Sequence, residues 1–304
     1  MEKFIKASIT SIQHQTFKDI EIIAVNDFST DKSLEILKEL SSKDKRIRII
    51  NNNRNYGLLY SRTIGIINSK GEYLMNLDPD DSFKGKYSLE IIYNKAKSEN
   101  IDILSFGTFF QVMNKKVFKC SNFNKIIFQP KIFELTFDSN GNIRDFLIWN
   151  KLIKRELFIK AYELFMSQVY KKYWNFHDDN IWSVLVHKYA KSMFCSKKVI
   201  YIYKDNTDSL MKKLFSETNI INLFYRHQML EKILKGHDEK KYLIAENNVL
   251  VTLFKNMKNY TNLTEQNNLK SKYIKIFINE INDNNNLTTK AKNIIKYFWK
   301  YSNR

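Results

Sequence analysis

Phe4, Ile5, Ile9 and Ile12 recur at the three-to-four-residue interval that places side chains on one helix face, and the spacing predicts a helix over 4–13. The next apolar block is of another kind. Glu21-Ile22-Ile23-Ala24-Val25 is short and nearly continuous, the pattern of a strand covered on both faces. The polar run from Asn26 to Asp31 separates it from Leu34, Ile36, Leu37 and Leu40, which return to helical spacing behind the N-cap residues Ser29, Thr30 and Asp31. The alternation then repeats, with a strand over 47–50, a helix over 57–67, a strand over 73–77, a helix over 88–97 and a strand over 101–106. Strands and helices at this interval predict βα units and an α/β fold with a mostly parallel sheet flanked by helices.

Beyond residue 106 the alternation weakens. Aromatic-rich strand-like pieces at 106–118 and 123–133 precede helical spacing around 144–165 and 179–190 and a strand-like stretch at 199–203. From about residue 211 the spacing is helical in several segments. The expected organisation is therefore a first half over 1–105, a second half of the same domain over 106–210, and a C-terminal helical extension over 211–304.

Composition narrows the class. A chain of 304 residues with 43% hydrophobic and 14% aromatic residues is not a disordered one, and seven Gly and two Pro without a short period exclude collagen-like and solenoid architectures. The first fifteen residues interrupt their apolar positions with Lys, Ser, Gln and His, unlike a signal peptide or membrane anchor, and no run approaches eighteen apolar residues. A cytoplasmic protein is expected, at most peripheral at the inner face of a membrane. Two cysteines, Cys120 and Cys195, read as small buried hydrophobes in a reducing compartment.

The net charge of +18 raises nucleic acid, anionic membrane and acidic substrates as partners. Its distribution decides among them: residues 1–105 carry +1, residues 106–210 carry +8 and residues 211–304 carry +9. A nucleic-acid-binding protein, the alternative from another functional class, concentrates its basic residues in a stripe, whereas here the excess is diffuse; no nucleic acid partner is expected. Over 288–301, Ile294, Ile295, Phe298 and Trp299 alternate with Lys290, Lys292, Lys296 and Lys300, which suits either a docked amphipathic helix or one lying on an anionic membrane.

The sharpest chemistry is Leu77-Asp78-Pro79-Asp80-Asp81, with three carboxylates in four residues after an expected strand. Strand ends are where open α/β sheets bind ligands, and Asp78 and Asp80 around a proline-fixed turn could share a hard cation, Mn²⁺ or Mg²⁺, with phosphate oxygens. The bland alternative is an acidic turn capping the next helix. Asp27, at the end of the neighbouring strand and ahead of the capping residues, could accept hydrogen bonds from a base or ribose. Asn55-Tyr56-Gly57 opens a helix bearing Arg62, and His177-Asp178-Asp179 opens another that the same residues could simply cap.

In order and content these pieces resemble glycosyltransferase family 2, inverting enzymes of GT-A fold. The resemblance covers about residues 3–210 and rests on Ser11-Ile12-Gln13-His14-Gln15-Thr16-Phe17, the stretch from Glu21 to Asp31, Asn55-Tyr56-Gly57, Ser61-Arg62, Lys70-Gly71-Glu72-Tyr73, Leu77 to Asp81, Trp149-Asn150-Lys151-Leu152 and Asp178-Asp179. It implies a nucleotide-sugar donor, a glycan or lipid-linked acceptor and a divalent metal. By the resemblance Asp27 contacts the nucleotide base, Asn55 and Arg62 lie near the nucleotide, and Asp78 with Asp80 forms the metal-and-diphosphate motif. Asp179 matches the catalytic base, and Trp149, Lys151 and Asp178 match the acceptor side, with Asp178 where the family usually has Glu. Three departures stand out. Phe28 replaces a usual glycine, Thr63 a usual asparagine, and the chain opens after the place of the family's first strand, so a damaged binding protein of the same fold is the alternative reading.

Overall fold

The computed structural model describes residues 1–118, 124–136, 147–169, 178–204 and 206; the expected helical extension over 211–304, with its basic helix, lies outside the described residues. Ile5 and Ile9 bury one face of α1 (Ile5–Gln13) in a cluster with Leu37 and Leu40 of α2 (Ser33–Lys43) and with Ile22 and Ile47. Those last two open β1 (Ile22–Asn26) and β2 (Ile47–Asn51), which pair in parallel from Ile22↔Ile47 to Asn26↔Asn51 as a two-stranded sheet of their own. The helix α3 (Leu58–Asn68) packs on β1.

A second sheet of seven strands carries the rest. Its order is β3 (Tyr73–Leu74), β8 (Lys151–Lys154), β5 (Ile103–Phe110), β9 (Ser192–Tyr203) and β4 (Ser82–Phe83), with β6 (Lys115–Val117) beside β5 and β7 (Ile126–Phe128) beside β9. The expected mostly parallel sheet is in fact mixed. β5 and β9 run parallel, while β3–β8, β5–β8, β4–β9, β5–β6 and β7–β9 are antiparallel. β8 and β9 return from the second half of the chain to flank β5, so strands distant in sequence meet there and no single type of crossover sets their directions: β8 runs against β5 and β9 along it.

Helices cover both faces of this sheet. On one, Leu59 and Ile66 of α3, Leu157 and Phe158 of α6 (Arg155–Val169) and Ile181 and Trp182 of α7 (Asp178–Tyr189) enclose Ile103 and Ile153. On the other, Leu89, Ile92 and Ala96 of α4 (Ser88–Ser98) enclose Leu104, Phe106 and Leu152. Adjacent residues of β5 and β8 thus go to opposite cores, as a strand's period of two demands. A short helix, α5 (Lys131–Thr136), follows β7.

Three expectations are corrected. Residues 151–154, expected to be helical, form β8, because Leu152 and Ile153 face opposite cores and the helix starts only at Arg155. The strand expected over 73–77 shortens to two residues before the chain turns. Cys195, buried in the core, is disulfide-bonded rather than a free thiol. Residue 105, where the expected division falls, lies within β5.

Candidate functional site

The acidic turn is built by its neighbours. The Asp81 amide donates to the Asp78 carbonyl at 3.0 Å, closing a turn with Pro79 at its second position, where a fixed φ suits it. Antiparallel pairing of β4 with β9, Ser82↔Ile202 and Phe83↔Tyr201, then lays the turn against the end of β9. Asp81 faces inward and is 1% exposed. Its Oδ2 accepts the Tyr201 hydroxyl at 2.7 Å and its Oδ1 the Lys204 backbone N–H at 2.9 Å. Burial pushes the Asp81 carboxyl up to about 7; the Lys204 and Tyr201 hydrogen bonds oppose that rise, and the charges of Asp78 and Asp80 add to it.

Asp78 and Asp80 remain part-exposed. Arg62, projecting from α3, donates from Nη2 to Asp78 Oδ1 at 2.9 Å, with the arginine side chain 7% exposed. A guanidinium this sheltered forms a strong charge-assisted bond and holds the carboxylate's direction. Asn206 Nδ2 donates to Asp80 Oδ2 at 2.7 Å. The structure therefore joins three of the residues singled out in the sequence, Arg62, Asp78 and Asp80, and adds Asp81 and Tyr201.

Asp27, the residue after β1, is held by local donors. Its Oδ1 accepts the Tyr56 amide at 2.9 Å and Asn52 Nδ2 at 2.8 Å, and its Oδ2 accepts the Gly57 amide at 2.8 Å. The Gly57 amide is that of the N-cap residue of α3 and the Tyr56 amide lies just before it, so the carboxylate tethers the entry to that helix and meets the positive end of its dipole. Gly57, at φ 92°, takes a backbone conformation that suits glycine, which lets the amides turn toward Asp27. Asn55 Oδ1 also accepts the Gly57 amide, at 3.1 Å.

The remaining candidates lie on other elements. Trp149 is 5% exposed and stacks on Tyr201 with ring centroids 4.7 Å apart. Lys151 is fully buried in β8, its Nζ donating to the Leu147 carbonyl and to Asn150 Oδ1, so the acceptor-side role implied by the resemblance meets an interior lysine. Asp179 lies in the first turn of α7, part-exposed, on a helix packed against α6 and α3. Asp178 begins the same helix, and its side chain lies outside the described residues.

Asp81 and Tyr201 escaped the sequence reading of the site. Asp81 was visible only as the third member of an acidic run, and nothing local says which of three carboxylates turns inward. Tyr201 and Tyr203 alternate with Ile200 and Ile202, a period-two signal of one tyrosine-bearing strand face that names no partner.

With the geometry in hand, comparison with known proteins settles the family: residues 2–161, more than half the chain, match the profile of Glycosyl transferase family 2. The chain belongs to glycosyltransferase family 2. Among relatives of this family member, EpsJ, an uncharacterized glycosyltransferase of Bacillus subtilis, is 29% identical over 212 residues, 69% of this chain and 60% of EpsJ. An uncharacterized glycosyltransferase of Haemophilus influenzae is 25% identical over 92% of this chain and 94% of its own length. The cholesterol galactosyltransferase of Borreliella burgdorferi is 37% identical over 51% of this chain and 45% of its own. Among solved structures, residues 1–349 of Staphylococcus aureus TarS in complex with UDP-GlcNAc superpose with a TM-score of 0.65 at 18% identity, covering 90% of this chain and 77% of that one. This likeness shows the fold, GT-A-like α/β.

The family generally uses a divalent metal, and the donor set permits one. Among the described residues no group of three or more His, Cys, Asp or Glu could hold a cation unaided. Asp78 and Asp80 are two part-exposed carboxylates on one proline turn, a donor set to which a divalent cation would have to add other oxygen ligands.

Proposed function

We propose that this protein transfers a sugar from a uridine diphosphate-linked donor to a hydroxyl of a glycan or lipid-linked acceptor, with inversion, in surface polysaccharide or glycoconjugate synthesis. The observation that carries this reading is the turn presenting Asp78 and Asp80 outward, with Arg62 on Asp78 and Asp81 turned in. The family supports the reaction class. The UDP-GlcNAc complex of TarS supports a nucleotide-sugar donor, and the galactosyltransferase relative, which acts on cholesterol, favours a hydroxyl acceptor that can be a lipid.

Chemically, the parts divide the work of a single displacement. The acceptor oxygen forms a bond to the anomeric carbon as the bond from that carbon to the diphosphate oxygen breaks, and the hydroxyl proton passes to Asp179 as general base. A divalent cation, when bound by Asp78 and Asp80, supplies positive charge against the departing nucleoside diphosphate. Arg62 holds Asp78 in direction, and the tether from Asp27 keeps the start of α3 in place. Among the described residues no helix is long and apolar enough to cross a membrane. We place the protein at the cytoplasmic face, where a basic second half and C-terminal third suit an acidic or membrane-held acceptor.

The test is incubation of the chain with UDP-GlcNAc, UDP-Glc and UDP-Gal and either Mn²⁺ or chelator, with released UDP measured. Metal-dependent release from at least one donor is expected. No release from any donor together with nucleic-acid binding that falls steeply with salt would favour the nucleic-acid reading instead.

A further inference from the structure

Besides a long contact from Ser8 Oγ of α1 to the Asp78 carbonyl at 3.4 Å, the acidic turn is held from α3 and from β9. From α3, Arg62 fixes the side chain of Asp78; from β9, Tyr201 fixes the turn's backbone and its inward carboxylate. The Tyr201 hydroxyl accepts the Asp78 backbone N–H at 3.2 Å and donates to Asp81 Oδ2 at 2.7 Å. One oxygen thus bridges the first and last residues of a four-residue turn.

That oxygen has little freedom. Tyr201 is 0% exposed, its ring stacked on Trp149 at 4.7 Å and 30° and set edge-on to Phe83 at 6.3 Å and 82°. The pairing Phe83↔Tyr201 fixes where the ring enters. Apolar packing alone would be served by phenylalanine, since a buried hydroxyl is tolerated only when bonded, and here both of its bonds go to the turn. With Asp81 drawn inward, Asp78 and Asp80 are the carboxylates that stay part-exposed. Trp149, matched by resemblance to the acceptor side, lies directly behind this contact.

We infer that Tyr201 is a positioning residue for the donor's diphosphate: its hydroxyl sets the backbone at Asp78 and so the directions in which Asp78 and Asp80 present their carboxylates. Tyr201 acts through the turn and touches no ligand. The inference rests on the reading of that turn as the diphosphate site.

Tyr201→Phe tests it in the full chain, because it keeps the ring and removes only the oxygen. Two readouts separate the claims. Amide hydrogen exchange over 76–82, without nucleotide or metal, reports whether the hydroxyl holds the turn; exchange at Asp78 should quicken by about tenfold while α4 and β5 stay within about twofold. Calorimetry of UDP with Mn²⁺ reports whether that hold serves the ligand, and the dissociation constant should rise by about tenfold. Phe83→Leu disturbs the same ring without removing the oxygen, and should lower the melting temperature yet leave UDP affinity within about twofold. Unchanged exchange in Tyr201→Phe overturns the inference, as does quickened exchange with unchanged affinity. If the unaltered chain binds no UDP with Mn²⁺, the diphosphate reading fails and the positioning role falls with it, although exchange still shows what holds the turn. Should Tyr201→Phe not fold, the unaltered chain decides: an Asp78 amide exchanging as fast as an exposed turn overturns the inference, and a protected one supports it.

Discussion

Asp27→Ala separates a structural carboxylate from a ligand-binding one. The side chain accepts two backbone amides at the start of α3 and the Asn52 amide, and both Gly57 and Asn52 are buried. Loss of this tether at the helix entry is comparable with loss of a helix cap and costs about 1 kcal/mol. Loss of a charge-assisted bond to a buried side-chain amide adds about 1 kcal/mol, moderated because Asn52 keeps Ser61 Oγ at 3.2 Å and Gly57 keeps Asn55 Oδ1 at 3.1 Å. The expected loss is about 2 kcal/mol, or a melting temperature lower by about 4–8 °C for a domain of this size. Asp27→Asn retains one acceptor oxygen but turns an N–H toward donors, so at least about half the loss should remain. Urea and thermal unfolding, followed by circular dichroism without nucleotide, measure both variants. An unchanged melting temperature in Asp27→Ala, with UDP affinity lost, would refute the tethering argument and assign the carboxylate to the ligand.

Other expectations follow from single contacts. Asp81 has a folded-state pKa of about 7, above its ordinary 3.8, so the stability it contributes is fully present below about pH 4 and is lost as pH rises through 7, at most about 4 kcal/mol. Metal-free unfolding at pH 5 and pH 8 should show wild type weakening relative to Asp81→Asn at the higher pH, and parallel profiles would dismiss the effect. Lys154→Met removes the partner at 2.8 Å of Asp102, whose side chain is 8% exposed, and should cost about 2 kcal/mol, since Asp102 keeps the Lys191 amide. Unfolding midpoints equal to wild type would contradict that. Asp179→Asn should lower kcat by about a hundredfold or more with donor KM within about threefold, and wild-type turnover would reduce Asp179 to a helix cap.

What the sequence disclosed and what it withheld have physical causes. The first helices and strands were readable because Ile5, Ile9, Leu37 and Leu40 keep a helical interval and Ile22 and Ile47 sit in short apolar runs; local spacing suffices there. Residues 151–154 were misread because a strand buried on both faces and a helix can share the same apolar spacing, and only pairing with β5 distinguishes them. The mixed sheet was hidden for a related reason: strand direction is fixed by which distant strands meet. Arg62, Asp78 and Asp80 are candidates that local motifs single out, and the structure brings them to one turn. The inward turn of Asp81 depends on Tyr201, 120 residues away, and no local pattern carries a contact that long. Asp27 was located but its tether to α3 was not, since that depends on how β1 faces the start of α3.

The central claim is that the turn from Asp78 to Asp81 binds a nucleoside diphosphate with a divalent cation. Calorimetric titration of UDP into the unaltered chain and into Asp80→Ala, each with Mn²⁺ and with chelator, tests it most directly. Binding that requires Mn²⁺ in the unaltered chain and is lost in a folded Asp80→Ala protein is the predicted result; equal binding in both proteins, or binding indifferent to the metal, would contradict the account.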